Sequence, residues 1–154
     1  MTEQDRALLL SVRPRFAESI MNGTKLAEIR RKRPSAGVGT PVILYATHPI
    51  AALVGSARIV EICHGTPADM WADHHAEMDV SLEEFDNYLA GAATAYILVL
   101  TDAQRLHAPV TLDEMRTSAA FHPPRSYRYF TRDGLHELLD GHPEGGLLLD
   151  LFPA

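Results

Sequence analysis

The side chains able to do chemistry stand in small groups beside short apolar runs. Ser11 and Arg13 close the first run, and Lys25, Glu28 and Arg30 lie along a second. Tyr45 and Thr47 end a third, while Arg125, Ser126 and Tyr127 follow the pair Pro123-Pro124. Arginine and lysine bind phosphate oxygens through charge-assisted hydrogen bonds. Tyrosine stacks on a base face, as single-stranded RNA is often held. Hydroxyls and carboxylates read base edges. A catalytic reading gives Lys25 the role of base or activator of water, because desolvation would lower its pKa. Glu28 is then its acidic counterpart, and Tyr45 or Ser126 holds a phosphate or acyl oxygen. Each residue also has a plainer role. Glu28 and Arg30, two apart on one strand face, suit a structural ion pair. Arg31 to Arg33 suit a solvated loop, and Tyr127 and Tyr129 suit a cover over the end of the core.

Other chemistries find less support. Asp73-His74-His75-Ala76-Glu77 is the densest group of metal-ligand types. Adjacent residues do not share a helix face, and no His-x-Glu or Cys-x-x-Cys spacing accompanies them. Neither a cofactor nor a resident metal is expected. A divalent ion assisting a nuclease would find Glu28 as its one obvious oxygen ligand, a poor site by itself. Cys63 is the sole cysteine, which excludes an internal disulfide and fits a reducing cytoplasm. Neither kind of glycine-rich phosphate loop is present, and no serine sits in a nucleophile elbow.

The net charge of −6 argues against nucleic acid as a partner, but its distribution argues for one. Residues 1–35 hold eight basic and four acidic residues, and the remainder holds six basic and sixteen acidic. A local basic patch on an acidic body is expected. The polar N-terminus lacks a signal-peptide pattern, and no run of about 18 apolar residues suggests a membrane span.

The elements that must position these groups follow from the spacing. Ala7 to Val12 reads as a buried strand. Pro14 suits the first turn of a helix whose apolar residues are Phe16, Ala17, Ile20 and Met21, with Gly23 as its C-terminal cap. Thr24 to Arg31 reads as a strand with Lys25, Ala27 and Ile29 on one face and Leu26, Glu28 and Arg30 on the other. Residues 31–40 read as a loop. Strands are expected over 41–47, over 52–63 with a bend or bulge at Gly55, and from 94 to 101, extending toward 106. Thr66, Ser81 and Thr111 open helices, the last two as capping boxes. Thr131 to Leu139 reads as a final helix, ahead of an apolar tail. Strands follow one another without crossover helices, which favours an α+β fold with a small, mostly antiparallel barrel and peripheral helices.

LLLSVRPRFAESIMNGTKLAEIRRKRP resembles the opening of ASCH-domain proteins, VILYATHPIAALVGSARI their central strand pair, and PPRSYRYF their closing segment. TPADMW and SLEEFDNYLAG resemble their helical insertion. The resemblance implies a PUA-like barrel over residues 1–130, with 131–154 as a C-terminal extension packed on the same domain. It also implies a cleft that binds RNA or a nucleotide, lined by Ser11, Arg13, Lys25, Arg30, Thr47, Arg125 and Tyr127. By position, Lys25 matches the family's lysine after the glycine turn, and Tyr45 and Ser126 match polar positions of its nuclease-type members. The chain departs from the nuclease-type members in having Ala51 in place of a lysine, from the amidohydrolase-type members in having Glu28 in place of a threonine, and from the closing motif in having Arg125 in place of a glutamine. RNA or nucleotide binding is the expected function. The alternative is hydrolysis of RNA or of acetylcytidine, with Lys25, Glu28, Tyr45 and Ser126 as catalytic residues. A third reading makes the acidic helices between 66 and 90 a protein-docking surface. A homodimer is carried as a further expectation.

Overall fold

A computed structural model describes residues 6–152. Six strands form one mixed sheet: β1 (Arg6–Val12), β2 (Ala27–Arg30), β3 (Pro41–Ala46), β4 (Ala52–Gly65), β5 (Ala95–Thr111) and β6 (Tyr127–Thr131). Their spatial order is β2-β5-β4-β3-β1-β6. The β1–β3 pair is parallel and the other four are antiparallel, so the expectation of a mostly antiparallel sheet holds. β2 and β6 are its two edges, and the barrel implied by the resemblance is not closed by a strand ladder between them. A side chain spans the gap instead. Arg30, at the end of β2, donates to the Ser126 hydroxyl just ahead of β6 and to the Ser11 carbonyl on β1. Among the described residues no helix is long and apolar enough to cross a membrane.

Local chemistry sets the helix boundaries. Helix α1 (Pro14–Asn22) starts on Pro14 and stops at Gly23, which takes the left-handed conformation at φ 81°. α2 (Pro67–His74) is capped by Thr66. α3 (Leu82–Tyr88) opens on a complete capping box between Ser81 and Glu84, and α4 (Leu112–Ser118) opens on one between Thr111 and Glu114. α5 (Arg132–Leu138) and α6 (Gly145–Leu149) close the chain. β4 and β5 are longer than their hydrophobic runs suggested. Their outer halves pair with each other through register shifts at Leu53/Gly55, Ser56/Arg58 and Ile59/Glu61, so polar residues are carried along by a partner strand.

The central strands bury separate cores on their two faces, and a third core lies under α2 and α3. Leu9, Ile43 and Tyr45 share one with Phe121, Phe130 and the terminal Leu135, Leu138, Leu148 and Phe152. Leu8, Leu10 and Leu44 share the other with Ala17 and Ile20 of α1. Neighbouring strand residues point to opposite faces, and this alternation decides below which polar side chains can meet.

Candidate functional site

A cleft of about 730 Å³ opens where β1 ends and β2 begins, between α1 and α3. This is within the ordinary range for small-ligand sites. Its floor is charged and almost dry. Lys25 is 1% exposed, Glu28 6% and Arg30 7%. Glu28 Oε2 lies 2.6 Å from Arg30 Nη2, and Glu28 Oε1 lies 3.7 Å from Lys25 Nζ. Lys25 Nζ also donates to the Met78 carbonyl at 2.6 Å and sits 4.9 Å from the centre of the Phe16 ring. Arg30 Nη1 donates to Ser126 Oγ at 3.1 Å, while among the described residues its buried Nε has no hydrogen-bond partner. An unsatisfied buried donor costs about 1–3 kcal/mol, and a ligand acceptor reaching this floor would recover that cost.

The strand alternation expected from Thr24 to Arg31 fails at its start. β2 begins only at Ala27, because Thr24 and Lys25 finish the turn after α1 by donating their N–H groups to the Ser19 carbonyl. Lys25 therefore leaves the strand pattern, and its ammonium joins Glu28 and Arg30 rather than facing away from them. Burial pushes the Lys25 ammonium below the ordinary lysine range, while Glu28 and Asp79 pull the other way.

Of the residues singled out from sequence, Ser11, Arg13, Lys25, Glu28, Arg30, Thr47, Arg125 and Ser126 line this one cleft. Arg13 and Arg125 are exposed at its rim, and among the described residues neither has an ion pair. Ser11 is less available to a ligand, since its hydroxyl donates to the Pro124 carbonyl at 2.6 Å. Two residues lie elsewhere. Tyr45 is 3% exposed in the opposite core, edge-on to Phe121, where burial pushes its phenol up. It pairs with Ser11 across the β1–β3 ladder, but its side chain points to the other face. Tyr127 packs edge-on to Tyr129 beside Leu10 and is outside the lining.

Glu84, Phe85, Asn87 and Tyr88 of α3 form the wall facing this floor, a role sequence reasoning did not give them. Arg15 of α1 holds this wall in place. Its guanidinium pairs with Glu84 at 2.5 Å and donates to the Asp79 carbonyl. The Arg15 guanidinium's hydrogen bond to Glu84, followed by the Ser81 N–H, pulls the Glu84 carboxyl down to about 2. Burial raises the Tyr88 phenol, and the Arg30 guanidinium opposes the rise. The signal available in the sequence was the helical phase of α3. Ser81 fixes its start, which places Glu84, Asn87 and Tyr88 three and four apart on one face.

The lining thus carries four cationic side chains, Arg13, Lys25, Arg30 and Arg125, and two carboxylates, Glu28 and Glu84. Both Glu28 oxygens face cations, which makes this carboxylate a poor fit for a divalent ion. Among the described residues no three His, Cys, Asp or Glu side chains gather in a metal-binding arrangement. A phosphate fits this set better, because its oxygens would accept from Arg13, Arg30 and Arg125.

Comparison with known proteins follows the same lines. The ASCH domain profile matches residues 10–107. An ASCH domain-containing ribonuclease from Zymomonas mobilis is 28% identical over 132 residues, which is 85% of this chain and 88% of that protein. A crystal structure of the ASCH protein from Zymomonas mobilis superimposes with a TM-score of 0.82 at 27% identity, covering 90% of this chain and 96% of that one. A serine-to-alanine mutant of the Zymomonas mobilis protein superimposes equally well, at 0.82 and 26% identity, over 90% and 97% of the two chains.

Proposed function

The chain belongs to the ASCH domain family, and from that premise we propose that it is a ribonuclease that takes single-stranded RNA into the cleft between α1 and α3. A buried carboxylate held between two buried cations, beneath two exposed arginines, carries this reading. Such a triad adds little to stability, since apolar side chains of similar volume commonly do as well or better. Perturbed titrating groups in a cleft are characteristic of sites that do chemistry. The related ribonuclease of Zymomonas mobilis, matched over most of both chains, supports the same substrate class.

The residues divide the work. Arg13 and Arg125 receive the phosphodiester, and Phe16 or Tyr88 offers a face to an adjacent base. Glu28 takes the proton of the attacking ribose 2′-hydroxyl as that oxygen attacks the neighbouring phosphorus, the P–O5′ bond breaks, and the departing 5′-oxygen takes a proton from water. Arg30 and Lys25 stabilise charge on the phosphoryl oxygens, in a site where little water remains to screen them. Ser126, fixed by Arg30, holds the phosphate in register. Tyr45 has no direct part in this scheme. Substitution there acts through packing against Phe121.

The reading is tested by incubating the purified protein with end-labelled single-stranded RNA and with acetylcytidine. RNA should be cut to products ending in a cyclic phosphate, and an oligonucleotide without 2′-hydroxyls should survive intact. Ser126→Ala, which changes an exposed side chain, should fold normally and cut more slowly. Glu28→Gln should lose about 100-fold or more in rate. Uncut RNA, or cutting that both variants retain at full rate, sinks the proposal. Turnover of acetylcytidine with the RNA left intact would assign the amidohydrolase chemistry instead.

A further inference from the structure

The loop after β2 has a consequence beyond the cleft. Residues 31–36 are tied toward the β1–β6 edge of the sheet by a contact at each end. At one end Arg30 donates to the hydroxyl of Ser126, ahead of β6. At the other, Arg6 donates to the Ser35 carbonyl at 3.3 Å while its guanidinium lies 4.2 Å from the centre of the Tyr129 ring. Ala36 is buried in the same core that Tyr127 and Tyr129 pack against. The seam between loop and strand therefore starts at the cleft and ends beside Arg6. At about 3.3 Å per residue, β6 gives it a length of about 17 Å.

Its charge is all of one sign. Residues 29–36 read IRRKRPSA and residues 122–131 read HPPRSYRYFT, with no carboxylate in either stretch. Arg31, itself exposed, is tied to the end of α3 and the turn after it, donating to the Tyr88 and Ala90 carbonyls. Lys32 and Arg33 are exposed, and among the described residues neither has an ion pair. A solvated basic turn would need no alignment with the cleft. This one follows directly on Arg30, which lines the cleft together with Arg13 and Arg125.

We propose that the seam between the 31–36 loop and β6 is an extended subsite that holds the sugar–phosphate backbone of a single RNA strand as it leaves the cleft. This rests on the reading of the cleft as an RNA site and adds the path of the strand outside it. Lys32 and Arg33 contact phosphates there. Arg31, tied to α3, keeps the loop and the cleft wall in step.

Fluorescence anisotropy with 2′-O-methylated oligonucleotides, which cannot be cut, tests this. A trinucleotide occupies the cleft alone, and a dodecamer also follows the seam. In the Lys32→Ala/Arg33→Ala double variant, dodecamer affinity should fall and the slope of log K against log salt should shrink by about 1.4. Trinucleotide affinity should not change. Unchanged dodecamer affinity and slope overturn the subsite and leave the cleft reading standing. If the wild type binds neither oligonucleotide, both readings fall. Loss of binding to phosphatidylserine vesicles, with dodecamer binding intact, would assign the seam to a membrane surface and overturn the proposal.

Discussion

Lys25 and Glu28 answer to different forces, although each is the other's neighbour. Burial holds the Lys25 ammonium below its ordinary range, so the charged form is penalised in the folded chain. Below the lowered value both folded and unfolded chains hold the proton, and the folded chain bears the whole penalty. Between the lowered value and the ordinary lysine value of 10.5 the unfolded chain binds more protons, so stability rises with pH through that window. The wild type should therefore gain stability relative to Lys25→Met as pH rises from neutral toward 10.5, as urea titrations at several pH values would show. The opposite slope would mean that Glu28 outweighs desolvation. Glu28→Gln differs in kind, because it leaves two buried cations facing a neutral amide. Breaking a buried ion cluster on one side costs about 3–5 kcal/mol. Lys25→Met should cost about 1–3 kcal/mol, since it leaves the Met78 carbonyl without its donor. A shift in the urea midpoint that is larger for Lys25→Met than for Glu28→Gln would contradict this ranking.

At the level of elements, Gly55 is where strand geometry and helix packing meet. A Cβ there would lie 2.6 Å from the Gln104 carbonyl oxygen of β5 and 2.5 Å from Met21 Sδ on α1. Met21 can swing aside, but the β5 backbone cannot without disturbing the bulged ladder. Gly55→Ala should therefore cost about 1–3 kcal/mol as overpacking, read as a lower melting temperature with an unchanged far-ultraviolet spectrum. A neutral effect would show that β5 yields. The sequence made this position legible because a glycine inside an apolar strand marks a bulge or a close approach. It made the α1 boundaries and the capping boxes of α3 and α4 legible for the same reason: their signals are local. Lys25 and α3 were misread or missed because their roles depend on contacts distant in sequence. The Lys25 ammonium is held by the Met78 carbonyl, 53 residues on, and the Arg15–Glu84 pair joins residues 69 apart. Tyr45 was grouped with the cleft because it ends the third strand and matches a polar position of the family's nuclease-type members, whereas alternation sends its side chain into the other core.

The ASCH profile ends at residue 107, and the motifs read from the sequence end near 130, yet the chain's packing does not stop at either point. Leu135, Leu138, Leu139, Leu148, Leu149 and Phe152 share a core with Ala7, Leu9 and Ile43 of the central strands. Two polar ties reinforce this contact. Arg58 of β4 donates to the Leu151 carbonyl at 2.7 Å, and the buried Glu144 carboxylate accepts the Ala108 N–H at 2.7 Å. Burying one such side chain is worth about 1.5–3 kcal/mol, so the six together contribute about 10 kcal/mol or more. A domain's whole margin of stability is only about 5–15 kcal/mol. Ending the chain after Thr131 should consequently abolish cooperative folding even though every cleft residue is retained. The truncated protein should show no sigmoidal urea transition and should bind a dye specific for exposed apolar surface. A sharp transition with wild-type RNA binding would mean that the first 131 residues fold alone, with the terminal helices resting on a core already complete. The more direct reading of the burial is that one face of the sheet lacks its cover until α5 and α6 arrive. β3, which supplies Thr47 to the cleft just past its end, takes its rigidity from that covered face.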